Sequence, residues 1–119
     1  MKQKKCLKIV GGNMTEFIQV ITTVDDERKA KIIQNLLVQK RVAACVQVFG
    51  PVFSCFWWEG KIEKAKEWIC VAKLRSEDYK RAESLIKENN PYDVPEIIAI
   101  PISSGNEDYL RWIKNVTKL

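Results

Sequence analysis

The sequence predicts an α+β fold: an antiparallel sheet of four strands with helices on one face, a long central hairpin and an extra C-terminal helix. Three observations carry that prediction. Strand-like and helix-like segments follow the order β-α-β-β-α-β-α. Two long extended stretches, residues 42–58 and 62–74, adjoin across Glu59-Gly60. A last apolar run, Ile97 to Ile100, ends at Pro101, which cannot donate to a sheet ladder and so marks an edge strand. Two β-α-β units around a central hairpin make the ferredoxin-like split β-α-β sandwich.

Each element has a local cause. Glu16 to Thr23 is rich in β-branched and apolar residues and reads as the first strand. Thr23 or Asp25 is placed to cap the helix that follows. The acids Asp25, Asp26 and Glu27 suit its positive N-terminal end. Ala30, Ile33 and Leu37 form its apolar stripe, and Lys40 and Arg41 fall at its C-terminal end. Val42 to Trp58 is extended, with Gly50-Pro51 breaking it midway. Glu59-Gly60 supplies a tight turn tolerant of positive φ. In the returning strand, Trp68-Ile69-Cys70-Val71-Ala72 is apolar on both faces, which predicts a central, buried position. Ser76 is expected to cap the second helix, whose inner face is Tyr79, Ala82, Leu85 and Ile86. That helix stops at Asn89-Asn90, because Pro91 disfavours the α region in the residue before it. Pro91 and Pro95 then hold Tyr92, Asp93 and Glu96 in a short, stiff corner ahead of the last strand. Ser104 with Glu107 matches a capping box for the final helix, in which Tyr109, Ile113 and Val116 share a face.

Length and composition narrow the function classes. A chain of 119 residues suits one core. With 46% hydrophobic and 29% charged residues it falls in the ordinary range of globular proteins. Its apolar runs fall short of the roughly 20 residues of a membrane span, so a cytoplasmic domain is the default expectation. The net charge of +5 is concentrated in residues 1–13, which hold four lysines and no acids and leave the remainder at +1. Nucleic acid is therefore not an expected partner of the globular part; binding through the leader lysines alone would show a steep salt dependence. Histidine is absent, which excludes histidine triads, histidine general bases and the commonest transition-metal ligand. Cys6, Cys45, Cys55 and Cys70 form no C-x-x-C pair. Cys45 and Cys70 are expected in the core. Cys55, on the hairpin arm, is the only candidate among them for an exposed, oxidisable thiol.

The hairpin predicts assembly. At about 3.3 Å per residue, Val42 to Trp58 would reach roughly 55 Å. A compact domain of this size is roughly 35 Å across. The arm must bend back at Gly50-Pro51, or project and pair with another subunit. Phe53, Phe56, Trp57 and Trp58 would make a sticky edge if left alone. An obligate oligomer closed by strand pairing is expected, with these four residues and Trp112 at the interface. A nucleic-acid stacking platform is the weaker reading of the aromatics, because no basic-glycine-aromatic sequence occurs on a central strand.

Read together, these segments resemble the CutA family of divalent-cation tolerance proteins. Arg41-Val42-Ala43-Ala44-Cys45-Val46 is similar to the family's alanine-alanine-cysteine strand. Ser54-Cys55-Phe56-Trp57-Trp58-Glu59-Gly60-Lys61 resembles its hairpin, which ends in tryptophan-glutamate-glycine-lysine. Glu67 and Lys73 fall at its usual strand positions. Asn90-Pro91-Tyr92-Asp93-Val94-Pro95-Glu96-Ile97 is similar to its histidine-proline-tyrosine block, and Tyr109-Leu110 with Trp112 to its last helix. The resemblance runs from Thr15 to the C-terminus. It implies a homotrimer with hairpins paired across subunits. It also implies a role in tolerance of, or response to, divalent metals, with copper as a candidate ion and no required cofactor. No reaction is attached to the family, so no catalytic residue is assigned and the protein is not expected to be an enzyme. Where the family has histidine before Pro-Tyr, this chain has Asn90. An asparagine carbonyl is a poor soft-metal ligand, so no metal ligand is assigned either.

The candidate site is an inter-subunit cleft formed by Trp58, Glu59, Glu67, Lys73, Tyr92, Asp93 and Glu96. Salt bridges and caps that stabilise a trimer are the competing account of the same residues. An alternative function is a trimeric signalling protein of the PII type binding a small anionic ligand between subunits. The absence of a glycine-rich phosphate loop weighs against a nucleotide there. Residues 14–119 are expected to form the single domain, and residues 1–13 a leader, disordered or upstream of the true start. Gly11-Gly12-Asn13 precedes Met14, and a purine-rich ribosome-binding sequence read in frame can encode Gly-Gly just before a start codon. N-terminal mass spectrometry of the native protein is therefore expected to find no peptide from residues 1–13; finding one would overturn a start at Met14.

Overall fold

The structure, a computed structural model, describes residues 15–118. The expected leader, Met14 and Cys6 lie outside the described residues. Eight elements follow one another: β1 (Phe17–Val24), α1 (Glu27–Gln39), β2 (Cys45–Trp58), β3 (Lys61–Arg75), a 3₁₀ turn (Ser76–Asp78), α2 (Tyr79–Asn89), β4 (Ile97–Pro101) and α3 (Glu107–Val116). The sheet order is β2-β3-β1-β4 and every neighbouring pair is antiparallel. The fold is therefore the predicted ferredoxin-like split β-α-β sandwich, with β4 at an edge.

Alternation along the strands builds the core. Ile18, Val20 and Thr22 of β1 face the helices beside their β3 partners Leu74, Ala72 and Cys70, all nearly inaccessible. Ala30, Ile33 and Leu37 of α1, with Ala82 and Ile86 of α2, close over them. α1 and α2 leave the other sheet face open, and α3 meets it only at the Phe17–Arg75 end. There Ile21, Ile69 and Val71 are half-buried, while Phe49, Ile98 and Ile100 are 51%, 47% and 41% exposed. The run Trp68 to Ala72 is central as predicted, but only its helix-facing side is sealed. Cys45 lies opposite Lys73 on the uncovered face and is part-exposed, so the expectation of a core position holds for Cys70 alone.

Two predicted caps move and a third is not made. β1 runs on through the buried Val24, so Asp26, rather than Thr23 or Asp25, caps α1; its Oδ1 accepts the Arg28 N–H at 2.7 Å. Ser76 does not cap α2. It is buried, its backbone N–H bonds Glu16 O at 2.8 Å and its hydroxyl donates to Thr15 O, which fastens the end of β3 to the start of β1. Asn106, rather than Ser104, caps α3 by accepting the Tyr109 N–H at 2.9 Å. The C-terminal end of α3 is then anchored by two guanidiniums. Arg41 donates to Val116 O at 2.7 Å and Arg75 to Thr117 O at 3.0 Å, while Ile113 is fully buried.

The hairpin projects. Its register shifts between Phe49 and Val52, at a cis Gly50-Pro51 bond, and β2 pairs with β3 on both sides of the shift. Glu59 and Gly60 turn it with φ of 50° and 79°, the positive pair that a tight hairpin demands. The molecule measures 46 × 30 × 25 Å with a radius of gyration of 14.9 Å, above the roughly 13 Å of a compact domain of about this length. Glycine at position 50 is required by crowding. A Cβ there would sit 2.7 Å from Trp68 Cδ1 and 2.9 Å from Glu67 O. Gly50→Ala is expected to destabilise the fold by about 1–3 kcal/mol, read as a lower urea midpoint at fixed protein concentration; an unchanged midpoint would show that the bulge can open.

Candidate functional site

The Asn90–Glu96 corner is held by its own side chains. Asn90 Oδ1 accepts the Tyr92 N–H at 3.0 Å, closing a short turn across Pro91. Asn90 Nδ2 donates to Thr23 O at 3.1 Å and Thr22 Oγ1 at 3.3 Å, tying the corner to the end of β1. The amide is thus spent inward on the fold. This clamp sets Tyr92 toward β3, where its hydroxyl donates to Glu67 Oε2 at 2.6 Å. Glu67 is only 6% exposed. Burial, the Glu67 hydrogen bond and charge, and the charge of Asp25 hold the Tyr92 phenol well above the usual tyrosine range.

Beside this pair opens a cleft of about 930 Å³. One wall is the distal hairpin, Ser54 to Trp58 with Glu63, Lys64, Ala65 and Glu67; the other is the corner, Pro91 to Val94 with Glu96, and Thr23 lies in the lining as well. Of the predicted site residues, Trp58, Glu67, Tyr92, Asp93 and Glu96 line it together. Glu59 does not, because its positive φ places it in the turn at the hairpin tip. Lys73 does not either. It sits six residues along β3 from Glu67, roughly 20 Å away, and its Nζ donates to Gln47 Oε1 at 2.9 Å. Sequence reasoning missed Glu63 and Lys64. A period of two from Glu67 puts Glu63 on the same strand face and could have found it. Lys64 faces the other way, and only the pocket's shape brings it in.

The aromatic residues assigned to an interface divide by strand alternation. Phe53 and Trp57 share one hairpin face and are 82% and 73% exposed; Phe56 and Trp58 share the other, and Phe56, Trp57 and Trp58 all form part of the cleft. Trp112 is exposed on α3 and packs on Tyr109 with ring centroids 5.4 Å apart. Cys55 is exposed at the cleft, whereas burial pushes the Cys70 thiol up to about 11. Among the described residues, no group of three or more cysteine, aspartate and glutamate side chains converges as a metal would require. With Asn90 turned inward, the residues of one chain do not fit a bound divalent ion.

Tyr92→Phe is expected to cost about 1–3 kcal/mol, because it leaves a buried carboxylate without its donor. The pH dependence follows from the raised phenol. The folded state keeps this proton beyond about pH 10, where an unfolded tyrosine loses it, so stability is full below that pH and falls above it. Urea midpoints measured from neutral to alkaline pH should show a shallower fall in the variant; an identical alkaline limb would overturn the assignment. Some slope will persist, since burial and Glu83 also raise Tyr79.

Comparison with known proteins places this geometry. The model of the CutA1 divalent ion tolerance protein family matches residues 18–116. The chain is 41% identical over 100 residues to the divalent-cation tolerance protein CutA of Archaeoglobus fulgidus, covering 84% of this chain and 95% of that one. It is 37% identical over 101 residues to the chloroplastic CutA 1 of rice, covering 85% of this chain and 57% of the rice protein, so it spans little more than half of that relative. The structure of the periplasmic divalent cation tolerance protein CutA from Archaeoglobus fulgidus superposes with a TM-score of 0.83 at 37% identity, over 86% of this chain and 99% of that chain. These comparisons lend the PII-type alternative no support. Because the family match runs through all four strands, all three helices and both walls of the cleft, the chain belongs to the CutA1 divalent ion tolerance protein family.

Proposed function

We propose that this protein works in the cytoplasm as a homotrimer that serves tolerance of, or response to, divalent metal ions by binding rather than by catalysis. The observation that carries the assembly is the uncovered apolar surface: Phe53 and Trp57 on the arm, and Phe49, Ile98 and Ile100 on the open sheet face. Burying side chains of this size is worth about 1.5–3 kcal/mol each, and leaving them exposed on edge strands invites aggregation. The number three comes from the family resemblance. Phe56, Trp58 and Trp112 are proposed to join the same contacts. The cleft beside Tyr92 then becomes the ligand site, bordered by an arm that a neighbouring subunit holds in place. Cys45, Cys55 and Cys70 are free thiols, which suits a reducing compartment. Copper is the ion the resemblance suggests. One chain offers it only separated carboxylates and a lone thiol, so weak binding is the expectation.

Two measurements test this reading. Light scattering at micromolar protein is expected to give three times the 13.8 kDa chain mass; a monomer would overturn it. Calorimetric titration with Cu(II) and Zn(II) is expected to show weak, saturable binding. No binding below millimolar metal would remove the direct metal role and leave the trimer.

A further inference from the structure

We propose that the cleft takes a multiply charged organic amine, an alkyl di- or polyamine, with Glu67 as its anchoring anion and aromatic rings as its walls; this rests on the reading of the cleft as the ligand site. Charge is the first observation. Glu63, Glu67, Asp93 and Glu96 line the cleft, with Lys64 the one basic residue among its lining. Among the described residues, none of these five forms an ion pair. The lining thus carries four negative charges against one positive, which repels the anionic metabolites that an acid-binding site would take.

Burial is the second. Glu67 is 94% withdrawn from solvent, and its hydrogen-bond partner among the described residues is a neutral phenol. A carboxylate withdrawn from water is costly unless it is paired as well as hydrogen-bonded. Tyr92 supplies the hydrogen bond, no cation of the same chain among the described residues supplies the pairing, and a ligand ammonium in the cleft would.

Geometry selects the kind of cation. Glu63 and Glu67 lie on one face of β3, four residues and about 13 Å apart along the strand. A metal ion needs oxygen donors at about 2.0–2.6 Å on every side, and no three donors converge. A flexible chain with ammonium groups spaced along it meets separated carboxylates one at a time, by charge-assisted hydrogen bonds. Phe56, Trp58 and Tyr92 add ring faces, to which an ammonium is drawn within about 6 Å. A volume of about 930 Å³ is ample for such a chain.

The test is calorimetric titration of the full-chain oligomer with spermidine and putrescine, and with butanediol and succinate as neutral and anionic counterparts. Spermidine is expected to bind most tightly, more weakly as salt is raised, with succinate and butanediol silent. Glu67→Gln keeps an acceptor for Tyr92 but removes the charge, and should weaken spermidine about thirtyfold or more. Trp58→Leu should weaken it about fivefold. Glu63→Gln, at an exposed position that does not threaten folding, should weaken it about two- to threefold. Succinate binding, or spermidine affinity unchanged in Glu67→Gln and Glu63→Gln, would overturn the inference. Mass by light scattering on the same samples separates the two readings. A trimer that ignores spermidine removes only the amine, whereas a monomer removes the assembly on which the cleft depends.

Discussion

The two hairpin strands are 14 and 15 residues long, and the helices that cover the sheet have 13 and 11. A strand advances about 3.3 Å per residue and a helix about 1.5 Å, so helices of this length cover less than half of such strands. Everything unusual in the molecule descends from that mismatch. The half of the hairpin beside the helices carries the sealed residues Val46, Cys70, Ala72 and Leu74. The half beyond them carries Phe53, Trp57 and Trp58 in the open. The register shift at Gly50-Pro51 falls between these two regimes, where Trp68 crowds the backbone of β2.

A second dependence runs through one buried carboxylate. Glu67 lies on β3 just past the shift, where the covered sheet ends and the arm begins. Tyr92 reaches it from the corner, and Asn90 holds the corner against β1. Two strands and a loop are thereby joined through the side chains of Asn90, Tyr92 and Glu67. In relatives with histidine before Pro-Tyr, that position offers an imidazole; here it offers an amide consumed by the backbone. The cleft is left acidic and aromatic rather than metal-ligating.

Elements with strong period were readable from the sequence. The stripe Ala30, Ile33, Leu37 predicts the buried face of α1, and the proline bracket at Pro91, Pro95 and Pro101 predicts the corner and the edge strand. Caps were less readable. Thr23 and Ser104 have the right chemistry, but Asp26 and Asn106 stand where the backbone N–H points; Ser76 spends its hydroxyl on Thr15 O, and α2 has no side-chain cap. Cys45 looked like core by its apolar company, yet its side of β2 faces away from the helices.

The order of elements, the aromatic hairpin, the rigid corner and the family resemblance are legible in the chain, because periodicity, proline and motif spacing are properties of residue order. Which polar residues meet is set by the folded path. Glu59, Glu63 and Lys73 all stand within eight residues of Glu67 in sequence, yet Glu63 lines the cleft and the other two do not. A turn with positive φ carries Glu59 to the tip, and the length of a strand carries Lys73 to the far end of the sheet. Tyr92, distant in sequence, instead donates to Glu67 at 2.6 Å. Strand direction and the path of a loop set those distances, and neither can be read from residue types alone.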